Sequence, residues 1–512
     1  MMTVDLLTLR GGIAKPELYF GVVAAVGTAT GAVESDLRTE LEAEGYSVET
    51  IRLTSNLQAF RLKHPYPNPE DSQYDRVNKL IDRADELRHV TGRSEALALM
   101  AAADISSRRP RAKAKDRNLD GCAFIFHQLK HPEEVLWLRH IYGDAFHLLG
   151  LYSPGRARKQ FLTTAFGMGD ADAERLIKRD EGRDEDGGDV WGQQLRSTFH
   201  RSDVFIEMRD DTASTEHARR QVKRFVDLLF GRQIITPTRH EYGMYLAHAA
   251  ALRSADLSRQ VGASVVDVYG ELVAVGANEV PAFGGGQYWG EDDGDARDYC
   301  HNGGADSNEV KKAEAMHEIL TNYDAGWPKL SLAKREGRLA ELGKTRVANL
   351  TEFGRAVHAE MEVILSAARR GVSIRGSTLF TTTFPCHNCA KHIVGAGISE
   401  VLYIEPYPKS LAGDLHPDSI AFAEDISPTE APPRKVRFSP FVGVAPRRYS
   451  ALFSALSEQG ERIKRKEKGG KVSKKATGLR LRAEPLSHIE REAMAALAAK
   501  SLAPTSSGGG KL

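Results

Sequence analysis

The strongest constraint on how this chain can fold is a split cluster of metal-binding residue types. His358-Ala359-Glu360 is separated from Pro385-Cys386-His387-Asn388-Cys389 by enough chain for one helix and one strand. Met361, Val363, Ile364 and Ala367 form the apolar stripe of a helix starting near His358. Ser377 to Phe384 reads as a strand, and a second helix runs from about His387 through Ala396 to a stop at Gly397. The two pieces of the cluster therefore fall on two helix starts, one of them directly after a strand, which is a βαβ arrangement.

His358, Cys386 and Cys389 can supply three zinc ligands and leave the fourth tetrahedral position to water, as a catalytic site requires. The spacing of Cys386 and Cys389 puts both sulfurs on one side of a helix N-terminus, where the dipole favours thiolate. Glu360, two residues beyond the histidine, is placed to move protons and not to bind metal. That set suits hydrolytic deamination of a nucleobase. Zinc lowers the pKa of bound water to about 7, and a carboxylate shuttles protons to the ring nitrogen and the leaving amine. Cys-x-x-Cys alone would also fit a redox pair or half of a structural zinc site, with His387 or His392 as a further ligand. The joint pattern with His-Ala-Glu favours the catalytic reading.

The bulk properties exclude several classes. A formal net charge of +1 with 27% charged residues is no polyanion-binding signature. The first thirty residues carry no signal-peptide pattern and no apolar run approaches a membrane span, so a cytoplasmic protein without a membrane partner is expected. Four cysteines in 512 residues make no disulfide scaffold. Cys122, inside an apolar strand, reads as a packing residue.

Residues 17–230 alternate apolar strands with amphipathic helices. That pattern predicts an α/β fold built on a doubly wound parallel sheet. The first strand–helix junction runs from Gly21 through Gly27, Thr28 and Thr30 to Gly31. A glycine-rich turn opening a helix can cradle phosphate with its amides, or it can be a plain turn. The P-loop lysine before Ser/Thr is missing, as is an aspartate ending the strand at 122–127. Arg175 to Arg183 reads as a phosphate-facing lid or a solvated charged loop.

From Thr238 the chain predicts a helix (Glu241 to Arg253), a hairpin (Val261–Val268 and Leu272–Ala277) and a long insertion over 279–346 with a helix near 308–321. Cys300 and His301 lie in that insertion, where a second zinc is an open alternative with its other ligands unidentified. Residues 461–482 hold ten Lys/Arg against two Glu. They fit a nucleic-acid or acidic-surface contact, or a solvated linker, and a short helix follows at about Ile489–Ala498.

Several stretches together carry a family resemblance. They are Leu129 to Val135, Ile141-Tyr142-Gly143, Tyr152-Ser153-Pro154, Leu252 to Ala263, Asn278-Glu279-Val280-Pro281, Val357 to Met361, Thr383 to His392, Tyr407-Pro408-Lys409-Ser410 and Gly443 to Tyr449. The C-terminal half resembles deoxycytidylate deaminases. The whole chain resembles bacterial anti-phage dCTP deaminases, which join a P-loop nucleotide-kinase-like domain to a deaminase domain. The resemblance implies a P-loop-like sensor domain over 1–235, an α/β/α cytidine-deaminase-like domain over 236–458 and a basic, largely disordered tail over 459–512. It implies hydrolysis of dCTP, or dCMP, to the deoxyuridine nucleotide, depleting dCTP in antiviral defence. It also implies ATP or another nucleotide at Gly27, Thr28 and Gly31, a homo-oligomer, and in some relatives a restraining RNA. Asn278 stands where related enzymes bond the sugar hydroxyl, or is a turn residue ending a strand. Lys409, Arg447 and Arg448 are candidates to face a triphosphate, or surface cations. Phe384 is a candidate wall for the base, or a core aromatic.

Other functions fit parts of the pattern. A deaminase acting on nucleic-acid bases would use the basic tail, and a housekeeping dCMP deaminase would need only the C-terminal half. A non-enzymatic scaffold with a structural zinc would have no use for Glu360.

Overall fold

The computed structural model describes residues 15–502 apart from 111–118, 182–190, 209–211, 233, 346, 348–349, 351, 407–409, 424–433, 457–461, 464, 468–470 and 473–486. The chain forms two compact units, one from residues 1–237 with 442–512, the other from 238–441.

The first unit begins with β1 (Leu18–Ala24), buried at every position as a central parallel strand covered on both faces must be. Helix α1 (Thr30–Ala43) buries Val33, Leu37 and Leu41, one stripe at helical spacing. Then come β2 (Ser47–Arg52), α2 (Gln73–Thr91), α3 (Ala96–Arg108) and β3 (Cys122–His127). They are followed by α4 (Pro132–Tyr142), β4 (Phe146–Tyr152), α5 (Gly155–Ala165), α6 (Asp170–Glu181), β5 (Val204–Glu207) and α7 (Thr212–Leu229). A proline in the first turn and reciprocal caps between His131 and Glu134 start α4. The strands pair in parallel in the order β5-β4-β1-β3-β2. Tyr19 and Val23 of β1 face one core with Phe124, Phe126 and the buried side of α3. Phe20 and Val22 face the other core with Leu37 of α1 and Val222 of α7. The sheet is thus covered on both faces, and each fully buried Phe or Leu contributes about 1.5–3 kcal/mol.

The second unit opens with α8 (Arg239–Ala251), capped reciprocally by Thr238 and Glu241. Its other elements are β6 (Gly262–Val266), β7 (Leu272–Ala277), α9 (Ser307–Tyr323), α10 (Leu332–Leu342), α11 (Ala359–Arg369) and β8 (Thr378–Thr383), then α12 (His387–Gly395), β9 (Glu400–Glu405), β10 (Ile420–Phe422) and β11 (Val436–Pro440). The sheet order is β10-β11-β9-β8-β6-β7. β6 runs antiparallel to both neighbours, and the remaining pairs are parallel. The expected hairpin and βαβ unit are therefore adjacent in one sheet. A Cβ on Gly276 would lie 2.8 Å from the Ala359 carbonyl oxygen, so the missing side chain lets β7 approach the first turn of α11. The insertion is tied at its root by Arg253. Its guanidinium donates to Gln287 Oε1 (2.7 Å) and the Tyr288 carbonyl (2.9 Å) and stacks 3.8 Å from the Trp289 ring centre.

After Phe441 the chain returns to the first unit, earlier than the boundary expected at 458. β12 (Gly443–Val444) adds antiparallel to β5, and α13 (Pro446–Phe453) buries Arg448 and Leu452. The physical reason is that β5 would otherwise present an unpaired edge. The terminal helix α14 (Ser487–Lys500) is likewise not an appendage of a solvated tail. Ala495 and Ala499 join the core beside α3 and α4. Glu492 accepts from Arg109 Nε (2.6 Å) and Nη2 (2.8 Å), while Glu17 takes Nη1 and Nη2, both at 2.7 Å. All three side chains are fully buried. Most of the basic run at 461–482 lies outside the described residues.

Candidate metal centre and active site

His358 is the N-cap of α11 and Cys386 the N-cap of α12. Strand β8 sits between these helices in sequence, so the helix starts converge at its carboxyl end. His358 Nδ1 lies 3.4 Å from Cys386 Sγ and 3.3 Å from Cys389 Sγ, and the two sulfurs are 3.6 Å apart. Zn–S bonds of about 2.3 Å and Zn–N bonds of about 2.0–2.1 Å around a tetrahedral ion need donor separations close to these. The donor set and its spacing therefore fit zinc. Among the described residues this is the group of His, Cys, Asp and Glu that could hold an ion.

Glu360 is on the first turn of α11 and is buried. Its Oε2 is 3.5 Å from Cys389 Sγ, and its Oε1 is 3.5 Å from the Thr381 hydroxyl. Burial pushes its carboxyl above the ordinary 4.5, so it can keep a proton nearer neutrality than a free glutamate. The hydrogen bond from the Cys389 thiol, with help from His358, brings Cys386 down to about 4. The same S–H bond pushes Cys389 up. The Cys386 thiolate in turn raises His358 to about 9. A bound cation would displace these shared protons, because it takes both sulfurs as thiolates.

Thr381 and Asp256 were not singled out from the sequence. Thr381 is fully buried on β8 and donates to the Thr383 carbonyl (2.9 Å) beside Glu360. Asp256 is close enough to help raise His358. Three consecutive threonines in an otherwise apolar strand were the available signal for Thr381.

The other expected site residues fall in varied places. Asn278 accepts from the Val261 amide (2.7 Å) and donates to the Arg259 carbonyl (2.9 Å), so its amide pins the segment entering β6. Phe384 packs against the rings of Tyr403, Phe422 and Phe438, as a core aromatic does. Lys409 lies outside the described residues. Arg447 and Arg448 belong to the first unit. Both pair with the buried Asp203, at 3.2 and 3.3 Å, and Arg448 also donates to Asp144 and the Phe146 carbonyl. Their charge is used to neutralise a carboxylate inside the first unit. Gly27 and Thr28 form the β1–α1 turn, and Gly31 lies in the first turn of α1. Cys300 and His301 are exposed in the insertion, and the Cys300 thiol is directed at the Asp295 and Arg297 carbonyls.

The second unit thus brings one histidine and two cysteines together as a group that could hold a metal ion, with a buried carboxylate beside it. Residues 237–405 match the family described as cytidine and deoxycytidylate deaminase zinc-binding region. Among individual proteins, the chain is 47% identical over 57 residues to the deoxycytidylate deaminase of Enterobacteria phage T2, a match covering 11% of this chain and 30% of that protein. It is 31% identical over 164 residues to a probable deoxycytidylate deaminase of Drosophila melanogaster, covering 32% and 58% respectively. The chain thus spans less than two thirds of the relatives it matches. Among solved structures, the apo dCMP deaminase of cyanophage S-TIM5 aligns with 40% of this chain and 99% of its own, at 18% identity and a TM-score of 0.22.

Proposed function

We propose that the second unit hydrolyses the exocyclic amine of a deoxycytidine nucleotide, releasing ammonia and leaving the deoxyuridine nucleotide. His358, Cys386 and Cys389 hold zinc, which when bound supplies a water of lowered pKa. Glu360 would take a proton from the attacking water and pass it to the ring nitrogen, then take the remaining proton from the oxygen now bonded to the ring carbon and deliver it to the amine as its carbon–nitrogen bond breaks. Thr381 holds the carboxylate in place. The observation that carries this reading is the buried Glu360 carboxylate 3.5 Å from Cys389 Sγ, inside the three-donor cluster yet outside the donor set.

The substrate we propose is dCTP. The resemblance of the flanking stretches, 129–135 and 252–263 among them, to anti-phage dCTP deaminases supports this choice, with dCTP depletion as the defensive outcome. On the same basis the protein acts in the cytoplasm as a homo-oligomer open to RNA control. The first unit then senses a nucleotide such as ATP at its Gly27–Gly31 turn. A second reading, dCMP as substrate, is favoured by the matched relatives, which are described as deoxycytidylate deaminases. Purified protein incubated separately with dCTP, dCMP, CTP and CMP, with products separated by chromatography, tests both. Conversion of dCTP alone supports the first reading and dCMP alone the second. Absence of ammonia release from any of them, with zinc bound, overturns the deaminase assignment.

A further inference from the structure

The carboxyl edge of β1 lies where the chain's path through the first sheet changes direction, since β3 pairs with one side of β1 and β4 with the other. Crevices at such a point are where open α/β sheets bind ligands. Here the crevice is bounded by the β1–α1 turn. Gly27 has a φ of +86°, and a Cβ on it would lie 2.7 Å from the Arg158 carbonyl oxygen, so the turn is drawn tight against α5. The Thr28 hydroxyl is buried and has no hydrogen-bond partner among the described residues. Beside it, Lys130 is buried with its ammonium 2.9 Å from the Ala24 carbonyl.

A carboxylate from α6 already stands in this place. Asp180 Oδ2 accepts from the Val26 amide at 2.7 Å, and Oδ1 accepts from Lys130 Nζ at 3.0 Å. Asp180 is 1% exposed. Backbone amide plus lysine ammonium is the donor set a phosphate oxygen would take. A buried ammonium cannot be left without an anion at small cost, so one anion can leave only as another arrives. The helix that carries Asp180 packs outside the two main cores and is otherwise tied by surface ion pairs, Arg179 to Asp82 and Lys159 to Asp170 and Glu174. Ala173 and Leu176 of α6 pack with Ile81, Leu162 and Met168 in a small cluster separate from the two main cores. Elements with few buried apolar contacts open at lower free energy than core elements.

We propose that Asp180 is an internal latch: its carboxylate occupies the phosphate position of the β1–α1 turn, and α6 must lift for a polyphosphate to enter. The proposal rests on the nucleotide-sensing reading of that turn and adds the device that gates it. An arriving phosphate replaces Asp180 on Val26 N–H and Lys130, and the unpartnered Thr28 hydroxyl gains an acceptor. Binding is thereby linked to release of α6, which a plain phosphate cradle would not require.

The test uses the full chain, with tripolyphosphate and ATP as probes and adenosine as the control without phosphate. Calorimetry on wild type and Asp180→Asn should give binding about tenfold tighter in the variant, a difference of roughly 1.4 kcal/mol. The further change Lys130→Met should remove that gain. Independently of any variant, hydrogen exchange on the wild type should show faster exchange across Asp170–Asp180 when tripolyphosphate is added. Equal binding by wild type and variant, or α6 exchange that stays the same or slows, overturns the latch while leaving the turn as a phosphate site. Absence of tripolyphosphate and ATP binding in both folded proteins overturns the latch and the reading of the turn together. Binding of ATP but not tripolyphosphate assigns recognition to the nucleoside and also overturns the latch.

Discussion

Glu360 Oε2 stands 3.5 Å from Cys389 Sγ, although 29 positions separate the two residues in the chain. Strand β8 accounts for this nearness, because α11 ends before it and α12 begins after it, so both helix starts come to the same end of the sheet. The carboxylate is buried with the donors but is not among the three whose ligand atoms all lie within 4.8 Å of one another.

Replacing Glu360 with Gln keeps the side chain's size and removes its proton transfer. Loss of a positioned general acid–base lowers turnover by about 10²–10⁴-fold. Ammonia release should fall by that amount while zinc per chain, measured by elemental analysis, is unchanged. Turnover within a few-fold of wild type would count against the role.

Cys386→Ala removes a donor whose sulfur lies 3.4 Å from His358 Nδ1. Zinc content and deamination should both be lost. Full zinc occupancy in a folded Cys386→Ala protein would exclude Cys386 as a ligand.

Arg448→Ala withdraws a buried cation from Asp203 and empties the bonds to Asp144 and the Phe146 carbonyl. Charged hydrogen bonds of this kind contribute about 1.5–3 kcal/mol each. The melting temperature of the first unit should drop, and KM for the cytosine nucleotide should hold. A raised KM with unchanged melting would restore the arginine to the substrate site.

Glu492→Ala leaves Arg109 with one carboxylate in place of two and exposes the Tyr142 hydroxyl's lost acceptor. Breaking a buried ion pair costs about 3–5 kcal/mol. Truncation before Ser487 should be at least as damaging, because it also removes Ala495 and Ala499 from the core. Urea denaturation checks both, and unchanged midpoints would mean that α14 does not dock in solution.

His147 is buried between Phe20 and Phe225, and its Nε2 has no hydrogen-bond partner among the described residues. Burial lowers its pKa from 6.5 to about 3. A depressed folded value means that the unfolded chain binds the proton first. This contribution to stability is complete above pH 6.5 and is lost as pH falls towards about 3, at up to about 1.4 kcal/mol per pH unit. Denaturant midpoints for His147→Phe should depend less on pH across that window than those of wild type. An unchanged slope would mean the ring is solvated.

Local chemistry was legible in the sequence. The helix starts at His358 and Cys386, the strand before Cys386 and the alternation over 17–230 each depend on neighbouring residues, through caps, apolar periodicity and turn glycines. The His358, Cys386 and Cys389 trio and Glu360 were legible for the same reason, since each half of the motif lies within five residues of chain.

Long-range partners were not legible. Nothing in the chain around Arg447 and Arg448 told that both pair with Asp203, more than two hundred residues earlier. Phe384 is part of an aromatic cluster only because β9, β10 and β11 bring Tyr403, Phe422 and Phe438 to it. Asp180 sat in a charge run that read as a phosphate-facing lid or a solvated loop, and neither reading told that its carboxylate is buried on Val26 and Lys130. The sequence by itself determined the His/Cys/Cys cluster, the carboxylate beside it and the elements that carry them. Only the tertiary structure decided which charges are available to a ligand, because a charge is spent or free according to what the fold packs against it.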